Sequence, residues 1–215
     1  DDNPNFIWDS DATMADWGGQ DFFEHWTGKN VRGDTPLNLH ATSLVSVAYL
    51  LTDHNKYRDW IVEYLDAWIE RAKAHGGNFP GNVGLNGEVG EDWPNPAEQF
   101  PGYVPEGSDI EPWAGGIMAW SGWGGKLFVP GAVRTATKNA YLVTRDEKYL
   151  RAMQRQLENL RDGVVIGHRR NGRPIKARGG YQRPWMAMDL YLLTMNDKHT
   201  WFMEGWEPGR WQAGE

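Results

Sequence analysis

The sequence predicts an all-α fold built from repeated helical hairpins, and three observations carry that expectation. A ten-residue signature, Ala48-Tyr49-Leu50-Leu51-Thr52-Asp53-His54-Asn55-Lys56-Tyr57, returns as Ala140-Tyr141-Leu142-Val143-Thr144-Arg145-Asp146-Glu147-Lys148-Tyr149. A weaker copy runs from Leu190 through Tyr191, Thr194 and Lys198 to His199. In each copy an apolar helix ends at Leu/Val-Thr, a polar turn follows, and a Lys and a ring residue open the next helix; such recurrence is the mark of stacked units. The helices before the signature are apolar and those after it amphipathic, which is the logic of a two-layer helical ring. Long Gly- and Trp-rich stretches separate the hairpins, with 13 Trp and 26 Gly among 215 residues.

Residues 1–36 are polar and aromatic without clean periodicity and read as an ordered loop or short helices. Asp9, Asp11 and Asp16 can ligate a hard cation such as calcium through oxygen, but the spacing lacks the Gly and terminal Glu of an EF-hand loop. Turn and cap roles are the ordinary alternative. Asn38 to Leu51 is the first inner helix: it has no Asp, Glu, Lys or Arg, its apolar residues cover nearly all sides, and burial is expected. Lys56 to Lys73 is its amphipathic partner, with Tyr57, Trp60, Ile61, Tyr64, Leu65, Trp68 and Ile69 on one face. Val129 to Thr144 and Glu147 to Arg161 repeat the pair. Trp185 to Thr194 is a third inner helix, and Trp201 onward starts its partner.

Between these lie two charged stretches. Residues 76–125 form a long loop, and from Ala74 to Gly125 no Lys or Arg occurs. Glu88, Glu91, Asp92, Glu98, Glu106, Asp109 and Glu111 all fall there. A loop of this length is uncommon unless functional or disordered, and its aromatics argue for order. Residues 167–183 form a basic loop holding Arg169, Arg170, Arg173, Lys176, Arg178 and Arg183 without one acid. Asn171-Gly172 within it suits a type I′ hairpin turn. The net charge of -7 argues against a general nucleic-acid binder. No apolar run is long enough to span a membrane, and without cysteine there is neither a disulfide nor a thiolate metal site.

Paired helices joined by Leu-Leu-Thr-x-x-x-Lys-Tyr turns, with Trp/Gly loops at one end, resemble the (α/α) toroid carbohydrate-active enzymes. These include polysaccharide lyases of the alginate, glucuronan and heparin-type groups, and the unsaturated-glucuronyl hydrolases. The likeness runs from Asn38 to Trp206 and is architectural. It implies a single toroid domain, or a portion of one, because three helix pairs are too few to close the ring. It also implies a substrate cleft at the loop end of the inner helices and an acidic polysaccharide or oligosaccharide as partner. Such a substrate points to a secreted or periplasmic protein.

The residues supply candidates for two chemistries. A lyase must neutralise a uronate carboxylate, remove the proton beside it, and protonate the leaving oxygen. Asn38 and Arg183 suit neutralisation, and Tyr181 or His40 suits the base. His168 and Arg169 add positive charge for a polyanion. The bland alternatives are an N-cap for Asn38, a core histidine for His40, packing for Tyr181 and a solvated hairpin for the Arg run. A hydrolase needs two carboxyls across the glycosidic bond, one kept protonated. Glu88 and Asp92 are the best pair, with Trp93 beside them; a solvated acidic loop is the alternative. Trp113, Trp120 and Trp123, set among glycines, offer flat faces for sugar rings. The expectation is therefore a polysaccharide lyase cleaving a uronate polymer by β-elimination, ahead of a glycoside hydrolase. A non-catalytic helical-repeat binding module is the third possibility.

Overall fold

A computed structural model describes residues 33–91, 107–114, 129–177 and 182–203. Five α-helices dominate the described residues: α1 (Ala41–Thr52), α2 (Asn55–Ala74), α3 (Val129–Thr144), α4 (Lys148–Asp162) and α5 (Gln182–Thr194). Short 3-10 helices span Pro36–His40, Pro112–Ala114 and Asp197–Met203. The last of these occupies the place where an outer helix was expected to begin at Trp201. Helix α1 packs on α2 and α3, α3 on α4 and α5, and α4 on α5. Helices α1, α3 and α5 thus form one layer, with α2 and α4 in a second. No described helix is long and apolar enough to cross a membrane.

The hairpin signature has a physical basis that repeats bond for bond. Asp53, Arg145 and Met195 each adopt a left-handed φ, at 54°, 61° and 51°. Their backbone N–H groups donate to the carbonyls of Tyr49, Tyr141 and Tyr191, a left-handed helix stop. The preceding Thr52, Thr144 and Thr194 hydroxyls donate to the carbonyls of Ala48, Ala140 and Leu190 at 2.7, 2.7 and 2.6 Å. The same hydroxyls accept from the N–H two residues onward. Threonine therefore serves both sides of the break, and the next helix restarts at once.

An all-α reading needs one correction. The basic stretch is the arm of a three-stranded antiparallel sheet of β1 (Asp109–Ile110), β2 (Val164–His168) and β3 (Pro174–Ala177). Val164, Val165 and Ile166 are β-branched and stiff, and Asn171-Gly172 reverses the chain. The turn is not type I′: only Gly172 has positive φ, at 77°. Gly172 N–H donates to the Arg169 carbonyl and Arg169 N–H to the Arg173 carbonyl. That is a type I turn closed by a glycine bulge.

The core lies between the layers. Helix α2 contributes Ile61, Leu65, Trp68, Ile69 and Ala72, and α4 contributes Tyr149, Met153, Leu157 and Leu160. Small Ala132, Ala136 and Ala140 on α3 let its neighbours approach. Helix α1 departs from expectation. It starts at Ala41, after a 3-10 turn, and its buried residues are Thr42 and Ser46. Leu44, Val47, Leu50 and Leu51 are exposed.

Candidate functional site

The helices run so that α1 begins, and α2 and α4 end, at the same pole. There the segments 33–40, 75–91, 107–114 and 163–177 gather. The opposite pole carries the tight threonine turns.

Asp34 is the centre of this loop end. Its backbone exchanges two hydrogen bonds with Val83, at 2.7 and 2.8 Å. Gly33 makes the approach possible: its φ is 76°, and a Cβ there would collide with the Val83 carbonyl. The Asp34 carboxylate then accepts three side-chain donors. Asn38 Nδ2 donates to Oδ1 at 2.7 Å, while the Tyr64 hydroxyl and Trp68 Nε1 donate to Oδ2 at 2.8 and 3.1 Å. One acid thus ties the start of α1 to the outer helix α2.

A cleft of about 570 Å³ opens beside it, lined by Asp34, Trp60, Glu63, Tyr64, Arg71 and the loop residues Gly84, Leu85 and Gly87. Trp60 and Tyr64 stack with ring centroids 5.0 Å apart, and Trp60 is 40% exposed. Positions 60, 63, 64, 67 and 71 recur at helical spacing, so the wall runs about 16 Å along α2. Burial first, then the bond to Asp34, pushes the Tyr64 phenol far above its usual range. Tyr64 is therefore a fixed donor and not a base near neutral pH. The far wall is held by Glu91, whose carboxylate accepts from the Asn86 N–H and side-chain amide. Further along, His75 stacks on Trp113 at 5.5 Å. Burial lowers the His75 pKa, opposed by the charge of Glu111.

The sequence-predicted residues divide as follows. Asn38 stands at the loop end, but its amide nitrogen is engaged by Asp34; it lies inside the 3-10 turn and is not an N-cap. His40 is exposed at the end of that turn, so it is not a core histidine. Glu88 is exposed and does not line the cleft. Trp113 is half-buried against His75. His168 and Arg169 are exposed on the hairpin, with His168 opposite Asp109 in register. Arg183 sits in the first turn of α5. Asp92, Trp93, Trp120, Trp123, Tyr181 and the Asp9, Asp11 and Asp16 set lie outside the described residues. Among the described residues no group of three or more His, Asp or Glu is placed to hold a metal ion.

The cleft residues Asp34, Trp60, Glu63, Tyr64 and Arg71 were not among the predicted site residues. Their signal was the width of the aromatic arc on α2. Ile61, Leu65, Trp68 and Ala72 suffice to bury the helix, which leaves Trp60 and Tyr64 in excess.

No curated protein and no solved structure matches the chain. A family model described as a domain of unknown function, DUF8034, matches residues 12–208. That span takes in every described element, so the chain belongs to the DUF8034 family.

Proposed function

We propose that this protein is a polysaccharide lyase acting on a uronic-acid-containing polysaccharide, with the α2 cleft as part of its substrate groove. The observation that carries the reading is the stacked Trp60–Tyr64 ledge, with Trp60 exposed and Tyr64 half-buried, and Arg71 on the same wall. An indole face stacks on the apolar face of a sugar ring, and a guanidinium pairs with a carboxylate through two parallel bonds. Indole ledge and cation side by side suit an acidic saccharide better than a neutral one.

β-Elimination assigns three tasks. Arg71 neutralises a uronate carboxylate in the groove, in place of Asn38, whose amide already serves Asp34. His40, exposed where α1 begins, is the base candidate, together with Tyr181 just ahead of α5. The protonated partner of that pair supplies the leaving oxygen with its proton. Arg183 reinforces the charge at the α5 mouth.

Glycoside hydrolysis is the second reading. Asp34 and Glu63 on one cleft are the observation that favours it. Asp34 counts against it, since both its oxygens already accept hydrogen bonds.

The test is a panel of alginate, glucuronan, heparan, chondroitin and ulvan, followed by ultraviolet absorbance. A rise reports the new C4–C5 double bond and supports β-elimination. New reducing ends without a rise move the assignment to hydrolysis. Binding without product makes the protein a saccharide-binding module.

A further inference from the structure

Helix α2 carries the acids Asp59, Glu63, Asp66 and Glu70. Asp59 pairs with Arg58 at 2.9 Å, Asp66 with Lys148 at 2.8 Å, and Glu70 with Lys73. Glu63 has no such partner among the described residues. Its neighbours one turn away along α2 are Asp59, Trp60, Asp66 and Ala67, none of them a cation. It is exposed, and it lines the cleft.

Arg71 is its counterpart on the same wall. The residues one turn away are Ala67, Trp68, Ala74 and His75, so α2 gives it no acid. Its guanidinium donates to the Ala67 carbonyl at 3.1 Å, which holds it against the helix. Across the cleft it faces Gly87, where an added Cβ would stand 3.9 Å from Nη2. The loop thus meets the guanidinium with a glycine, which leaves room for a ligand group.

Glu63 and Arg71 lie two helical turns apart, about 12 Å along the axis. Solvent and salt screen their attraction at that separation, so neither neutralises the other. The wall is therefore dipolar. Its negative end holds the aromatic ledge, because Trp60 and Tyr64 flank Glu63 and the Tyr64 hydroxyl donates to Asp34 at 2.8 Å. Its positive end is Arg71.

Taking the α2 cleft as the groove for an acidic saccharide, as proposed above, we infer that Glu63 selects the pattern of sugars along it. The uronate lies at Arg71, and the ring stacked on Trp60 is uncharged. Hydroxyls of an uncharged ring donate to the Glu63 carboxylate in charge-assisted bonds. A uronate in that place sets a second carboxylate beside Glu63, and this like-charge contact rejects it. The substrate class is thus a mixed polymer, in which uronate alternates with an uncharged sugar, and not a homopolymer of uronate.

Calorimetry on the full chain with oligosaccharides of equal length tests this. The mixed ones come from desulfated chondroitin and from desulfated, N-acetylated heparan; the homopolymeric ones come from glucuronan and alginate. The wild type should bind at least one mixed oligosaccharide about tenfold or more tighter than either homopolymeric one. Glu63→Gln keeps the shape and removes the charge. It should weaken the mixed ligand and strengthen the homopolymeric ones, with the urea midpoint unchanged. Added salt should narrow the wild-type preference, because it screens the repulsion. Equal binding of the two classes, or a preference for glucuronan or alginate, overturns the inference. So does a Glu63→Gln variant in which both affinities move in the same direction. Those results leave the cleft an acidic-saccharide groove, whereas binding of none of the four overturns the groove and the inference together.

Discussion

The two poles of the molecule solve the same problem, turning the chain between helices, by opposite means. At the turn end a left-handed residue and one threonine do it, three times with the same bonds. At the loop end the turns are long, differ from one another, and are held by side chains from distant parts of the chain. Asp34 alone joins residues 30 and 34 positions away. Asn159 and Arg155 on α4 donate to the Gly76 carbonyl, and the Phe79 N–H donates to Gln156. Local bonds make the turn end repetitive and rigid. Non-local bonds let the loop end carry an irregular surface, and that is where the cleft lies.

The strongest way to break this contrast is Trp68→Ala. Trp68 is buried in the core and also donates to Asp34, so both layers lose a partner. A loss of about 3–5 kcal/mol is expected in urea denaturation. Asp34→Ala comes next. It strands the Tyr64, Trp68 and Asn38 donors and should cost about 2–3 kcal/mol. The turn end should keep its hydrogen-exchange protection while residues 81–91 lose theirs.

Smaller effects sharpen the turn end. Tyr149 opens α4 fully buried, and its hydroxyl has no hydrogen-bond partner among the described residues. Burial, aided by the charge of Asp66, pushes its phenol up to about 12. The unfolded phenol loses its proton first, near pH ~10. The contribution is therefore intact below about 10 and is lost as pH rises toward 12. Tyr149→Phe should reduce the fall in urea midpoint between about pH 8 and about pH 11, and be at least as stable at the lower pH. Smaller still is Arg145→Gly or Met195→Gly. Each relieves a left-handed non-glycine residue and should add about 1 kcal/mol, seen as a higher melting temperature. Asp53→Gly should add less, because aspartate tolerates that conformation.

The same contrast explains what the sequence disclosed. Turn-end chemistry is local, so Tyr-Leu-x-Thr and the following Lys marked the hairpins, and the bounds of α2, α3 and α4 fell within two residues of expectation. Loop-end chemistry is not local. Asp34 sits in a segment without periodicity, and its partners Tyr64 and Trp68 read as core from their spacing alone. The β2–β3 hairpin was visible in Asn171-Gly172, but its third strand, Asp109–Ile110, pairs across more than fifty residues. The exposed face of α1 was misjudged because an apolar helix signals burial without saying what buries it.

The most direct test of the loop-end site is calorimetry of uronate oligosaccharides against the wild type, Trp60→Ala and Arg71→Ala. The wild type should bind at least one of them. Each variant should weaken that binding at least about tenfold, or about 1.4 kcal/mol, with the urea midpoint nearly unchanged. Loss of affinity in Arg71→Ala should be greatest at low salt, where an ion pair counts most. If no uronate oligosaccharide binds, or if both variants bind like the wild type, the cleft along α2 is not the substrate groove.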